Sequence, residues 1–332
     1  MKRLFLFIAL FVPVFAFSVE PEWDDTSVRR WPEGFSVVEI PSSVDGMIQK
    51  AYFHKASKPG QPLLICLHSW SATFRQLDRL LPDVLAEDWN YIHPDFRGAN
   101  RTPEAMVSDL VIADIDDAID YALKNSSADH SQVHIIGASG GGLATLACYM
   151  KSRFDAASYS AWVPISDLEE WYYESLGRGA VYAEHILSSC RDGKLDPEEL
   201  HRRSPLYAPF PKERRKGSPL FIYTGIHDGY NGSVPIVHSI NMYNRLVGEL
   251  KYKTADLEKI SKKAEKDEDL VSRKCIVKLL SCRCNPDADP SVEILGRHVW
   301  YSNSYGGVNL VIFEGKHEQL PGALKLVPWN GR

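Results

Sequence analysis

The chain of 332 residues has no large surplus of charge of either sign: 38 Lys and Arg stand against 43 Asp and Glu, a formal net charge of -5. It carries no basic stripe and no polybasic cluster, so the electrostatic footprint of a nucleic-acid binder or a membrane-surface protein is missing. Internal repeats and low-complexity linkers are lacking too, which argues against solenoids and arrays. Cysteine is sparse, six residues in all. Cys282 and Cys284 form a Cys-x-Cys without the second ligand pair a structural zinc site requires, so no metal is expected there. Apolar runs are short. The longest, residues 4–17, falls below the about 20 residues a comfortable membrane span needs.

That short run nonetheless has a purpose legible from its flanks. Lys2 and Arg3 precede it, and Ala16 and Ser18 close it with small residues at the spacing a signal peptidase reads. Residues 1–18 are expected to be a signal peptide, leaving residues 19–332 as one exported domain with no stable membrane insertion. An uncleaved N-terminal anchor is the alternative. Cys66 and Cys148 fall in apolar strand and helix patterns and read as buried free thiols. Cys190, Cys275, Cys282 and Cys284 lie in polar or irregular stretches and could pair in an oxidising compartment.

Along the chain, residues 35–40 and 47–54 read as two strands around the turn signal Asp45-Gly46. Residues 63–67 are continuously apolar, which suits a strand buried on both faces of a parallel sheet. Further strand patterns follow at 91–92, 133–136, 157–163, 220–224 and 308–313, with helical periodicity between them. Examples are Val107, Leu110, Ile115, Ala118 and Ala122, and again Ile236, Ile240, Tyr243 and Val247. Alternating strands and helices predict a mostly parallel central sheet with helices on both faces. Two stretches interrupt the alternation. Residues 167–215, with Trp171, Tyr172, Tyr173 and Tyr182, read as a lid-like insertion, and residues 251–274 as a charged, solvated helical segment.

Gly137-Ala138-Ser139-Gly140-Gly141 matches G-x-S-x-G, directly after one strand pattern and opening a helix pattern. A serine on such a turn needs small neighbours, and the helix N-terminus behind it favours developing negative charge. A serine hydroxyl needs a base to become a nucleophile. His317 is the candidate, on the turn Glu314-Gly315-Lys316-His317 after the last strand. Asp228 in His227-Asp228-Gly229 is the candidate acid, with Asp167 on the neighbouring loop as competitor. The oxyanion donors expected are the N–H of Gly140 and one from His68-Ser69-Trp70-Ser71, either Ser69 or Trp70. His68 reads as a residue that fixes its loop. Arg97, Trp171 and Tyr230 are candidate pocket residues.

These four segments, in this order, resemble the α/β-hydrolase superfamily. Asp95-Phe96-Arg97-Gly98, the extra glycine in Gly140-Gly141-Gly142, and Gly232-Ser233-Val234-Pro235 after His227-Asp228-Gly229 resemble its prolyl-oligopeptidase-like branch, peptidase family S9. The resemblance covers roughly residues 35–325. It implies the α/β-hydrolase fold and a Ser-His-Asp mechanism through an acyl-enzyme without cofactor. Fewer than 20 residues separate the expected leader end from the first strand, too few for the β-propeller that precedes the catalytic domain in prolyl oligopeptidases. The sequence reading therefore favours a carboxylic ester, including acylated carbohydrates, over a short peptide as substrate. A non-catalytic hydrolase-fold binding protein is the third reading.

Overall fold

The computed structural model describes residues 24–329, so the expected signal peptide lies outside the described residues. Ten strands form one open sheet in the order β1-β2-β4-β3-β5-β6-β7-β10-β9-β8. β3 (Leu63–Leu67), β4 (Asn90–Pro94), β5 (Val133–Ala138), β6 (Ser158–Trp162), β7 (Leu220–Gly225) and β10 (Val308–Phe313) run parallel through its centre. Every residue of β3, β4, β5 and β6 is buried, as a sheet covered on both faces requires. Antiparallel strands flank this core on both edges. β1 (Ser36–Pro41) and β2 (Ile48–His54) form the hairpin read from the sequence. At the other edge β9 (Arg297–Tyr305) pairs with β10 and with the short β8 (Glu293–Ile294).

The strand residues divide by parity between two apolar clusters. Leu63, Ile65 and Leu67 face one side with Val133 and Ile135, whereas Leu64 and Cys66 face the other with Ile136 and Ala138. The first side is covered by α2 (Asp109–Asn125), α3 (Gly140–Lys151) and α7 (Val237–Tyr252). The second is covered by α1 (Leu81–Ala86) and by the short turn Ala323–Leu326 near the C-terminus. Ser108 caps α2 by accepting from the Val111 N–H, and Lys124 complements the dipole in its last turn. Among the described residues no helix is long and apolar enough to cross a membrane.

The interruption at 167–215 is helical: α4 (Leu168–Gly177), α5 (Tyr182–Ser189) and α6 (Pro197–Arg203) extend the helical layer. The charged stretch at 251–274 begins as the end of α7 and continues into α8 (Leu257–Ala264), with α9 (Arg273–Cys282) following. α8 buries only Ile260 and Ala264, which leaves Glu258, Lys259, Lys262 and Lys263 exposed. All six cysteines are free thiols. Cys66 and Cys148 are buried as expected, and Cys190 is buried as well.

Candidate active site

Ser139 sits between the end of β5 and the first turn of α3 with φ 57° and ψ -117°. Backbone in that region costs a non-glycine residue on the order of 1–3 kcal/mol and persists only where the surroundings hold it. Here the Ser139 N–H donates to the Trp162 carbonyl at 2.9 Å, and its own carbonyl accepts from Leu143 at 2.9 Å. The glycines around it are demanded by close approach. A Cβ on Gly141 would lie 2.1 Å from the Leu67 carbonyl oxygen, and one on Gly140 would lie 2.5 Å from the backbone N and Cα of Trp70.

The loop after β10 brings His317 against the loop after β7. His317 Nδ1 stands 2.7 Å from Asp228 Oδ2, in a pair whose side chains are 9% and 0% exposed. The other oxygen, Oδ1, accepts from the Gly229 N–H at 2.9 Å and the Val234 N–H at 3.0 Å. Asp228 is thus held by two backbone donors and presents its remaining edge to the imidazole. Its competitor Asp167 is committed elsewhere: Oδ1 caps α4, and Oδ2 accepts from the Tyr207 hydroxyl at 2.5 Å. His227, beside the acid, bonds Glu314 Oε1 through Nε2 at 2.9 Å, and Glu314 also accepts from Trp300 Nε1. Ala138, next to Ser139, lines the same small cavity as Gln319, two residues past His317, so the serine and histidine loops converge.

The loop after β3 distinguishes its two candidate oxyanion donors. The Ser69 N–H donates to Gln76 Oε1 at 2.8 Å, and Gln76 Nε2 returns a bond to Ser69 Oγ at 3.1 Å. Ser69 therefore spends its amide internally. The Trp70 N–H, pressed against Gly140, meets no acceptor among the described residues, while the Trp70 carbonyl is held by the Asn100 backbone N–H at 2.9 Å. The Gly140 N–H lies in the first turn of α3, where amides have no intrahelical partner. His68 lies between the Ser69 and Asp95 carbonyls, each 2.9 Å from a ring nitrogen, and stacks on Phe96 at 3.9 Å. Burial lowers its basicity, consistent with a loop-fixing part.

The three candidate pocket residues are not together. Arg97 is turned away from the site: its guanidinium meets Asp114 at 2.7 Å and Asp45 at 2.9 Å, with only 3% of its side chain exposed. It straps the β1–β2 turn to α2, and holds the Asp45 carboxyl down to about 2. Tyr230 is exposed, with the Arg283 guanidinium 3.4 Å over its ring. Trp171 is fully buried, edge-on to Trp70 at 4.6 Å and stacked with Tyr182 at 5.0 Å, so it backs the wall that Trp70 forms beside Gly140. Sequence reasoning missed Gln76 and Asn100, whose side chains order the Ser69-Trp70 turn, because neither belongs to a motif. It also missed the cleft of about 570 Å³ running past His317, lined by Arg79, Arg297 and Lys316 together with Asp24, Glu314 and Glu318.

The model of the prolyl oligopeptidase family matches residues 88–264, just over half of the chain, including Ser139 and Asp228 and ending before His317. Among solved structures, the acylaminoacyl peptidase of Pyrococcus horikoshii is 15% identical at a TM-score of 0.51, covering 64% of this chain and 35% of its own. Prolyl oligopeptidase B of Galerina marginata is 18% identical at 0.50, covering 62% and 30%. An acylaminoacyl peptidase in complex with Z-Gly-Gly-Phe-chloromethyl ketone is 15% identical at 0.51, covering 74% and 44%. At such identity the likeness is one of fold, and the chain spans about a third to under a half of these proteins. No curated protein matches the chain. With over half of its length under the family model, the chain belongs to the prolyl oligopeptidase family of α/β-hydrolases.

Proposed function

We propose that the protein is an exported serine hydrolase that cleaves short peptides through an acyl-enzyme. Ser139 attacks the carbonyl, and His317 takes its proton and returns it to the leaving group. Asp228 holds His317 in the tautomer whose Nε2 lone pair accepts the serine proton. The N–H groups of Gly140 and Trp70 receive the oxyanion. The single observation that carries the mechanism is the buried 2.7 Å pair of His317 and Asp228 on loops that converge with the strained Ser139 turn.

The choice of a peptide rests on the cleft at His317. Its three cations and three carboxylates suit a substrate with charged ends better than an apolar acyl chain. Ester cleavage is the second reading, favoured by the Trp70, Trp171 and Tyr182 wall beside Gly140, which suits an aryl or sugar ester. Export rests on Lys2, Arg3 and the apolar residues 4–17.

The deciding assay compares an aminoacyl anilide series with matched aryl esters, using Ser139→Ala as blank. Cleavage of the anilides, reduced about 10⁴-fold or more in the variant, is expected. Turnover of esters alone would replace the peptide reading with the ester one, and wild-type rates in Ser139→Ala would end both.

A further inference from the structure

Beneath the turn that carries Ser69 and Trp70, three buried side chains from different parts of the chain converge on one small space. Cys66 comes from β3, His93 from β4, and Asp78 from the segment leading to α1. A sulfur, a nitrogen and a carboxylate oxygen of these residues all lie within 4.8 Å of one another. They line a cavity of about 20 Å³ together with Ser69, Gln76, Ala138 and Gln319. That is room for one ion or one water.

Two features mark this space as built for a ligand. His93, 1% exposed, meets the Cys66 backbone with its ring, neither ring nitrogen makes a well-directed hydrogen bond, and Gln319 Nε2 is unpartnered. A buried polar group left unsatisfied costs on the order of 1–3 kcal/mol, so a fold that keeps several around one cavity calls for an occupant. Asp78, by contrast, is firmly oriented: Oδ1 accepts from the Leu80 N–H at 3.0 Å and Oδ2 from the Tyr91 hydroxyl at 2.7 Å. Outer hydrogen bonds of this kind hold a ligating carboxylate in place.

We propose that Cys66, Asp78 and His93 form a site for a single divalent transition-metal ion of the zinc class, with Gln319 or a water in the fourth position. The donor set decides the class. A thiolate and an imidazole exclude magnesium and calcium, which take oxygen ligands, and one sulfur, one nitrogen and one oxygen suit tetrahedral zinc. Charge agrees: a thiolate and a carboxylate neutralise a divalent ion, leaving no net charge in the interior. Binding releases the thiol proton, together with that of the carboxyl when it is protonated, and no electron moves. The location gives the ion a structural part. Its cavity touches Ser69, Ala138, which precedes Ser139, and Gln319, which follows His317, so one ion would pin the turns around the site from below.

The test uses the full mature chain, stripped by chelator, with Cys282→Ser and Cys284→Ser introduced to silence the Cys-x-Cys pair. Cobalt is expected to bind at one equivalent and to give thiolate charge-transfer and tetrahedral visible bands, and zinc to displace it. Cys66→Ser should abolish the charge-transfer band, Asp78→Asn should weaken zinc binding at least about tenfold, and zinc should raise the Tm of the parent more than that of either variant. Near-UV circular dichroism confirms that each variant is folded. Should Cys66→Ser fail to fold, the parent spectrum and Asp78→Asn decide. A parent that gives no cobalt band, as a cavity holding only water would, overturns the proposal, and so does a band that survives in folded Cys66→Ser.

Discussion

Replacing Asp228 by asparagine tests the proposed mechanism at its most determined contact. Oδ1 of the aspartate accepts from the N–H groups of Gly229 and Val234, at 2.9 and 3.0 Å. An asparagine must keep its carbonyl oxygen at that position, because two backbone donors would otherwise face an amide NH₂. Its Nδ2 then occupies the Oδ2 position, 2.7 Å from His317 Nδ1. An NH₂ there donates, so Nδ1 must accept and the ring proton moves to Nε2. The imidazole can no longer take the proton of Ser139. The expected loss in kcat is about 10⁴-fold, or roughly 5.5 kcal/mol, with KM little changed. Both backbone bonds survive, so the Tm should stay near that of the parent. The assay is steady-state turnover of the best anilide or ester, beside a thermal melt. A loss of less than about tenfold in a folded variant would refute the tautomer argument.

Two further perturbations separate the site from its scaffold. In Gly140→Ala the new Cβ would lie 2.5 Å from backbone atoms of Trp70, which must retreat by about 1 Å, a displacement that can cost about 100-fold in rate. Burst and steady-state kinetics should show the fall in kcat, and an unchanged rate would remove the Trp70 N–H from the oxyanion site. Arg97→Ala leaves Asp114 buried without its cation and should destabilise by about 3–5 kcal/mol, read by denaturant unfolding. Activity per folded molecule should remain, whereas a selective loss of activity would return Arg97 to the pocket.

Parts of the parallel core were legible because Leu63–Leu67 and Val308–Phe313 are short, mostly apolar runs, and both coincide with the observed strands. β9 was missed for the opposite reason. Its sequence RHVWYSNSY is an edge strand of mixed burial, so it has neither the apolar run nor a clean alternation. The pairing of Asp228 with His317 was readable from chain order. The role of Arg97 was not, since its partners lie 17 and 52 residues away and a motif does not reveal which way a side chain turns. Between Ser69 and Trp70 the sequence left the donor open. Gln76, seven residues on, decides it by claiming the Ser69 amide. Cys66, Asp78 and His93 each look like ordinary core or loop residues in sequence, and only the sheet order that places β3 beside β4 makes them neighbours.

The helical insertion is tied to the rest of the molecule at one revealing point. Trp171 Nε1, at 2.8 Å, and Arg178 Nη2, at 2.7 Å, both donate to the carbonyl oxygen of Ser233. Ser233 directly precedes Val234, whose N–H grips Asp228. The tryptophan that backs the Trp70 wall and the anchor of the acid thus share a single peptide bond, between Ser233 and Val234. Any displacement of α4 would therefore pull on the same peptide group that holds the Asp228 carboxylate.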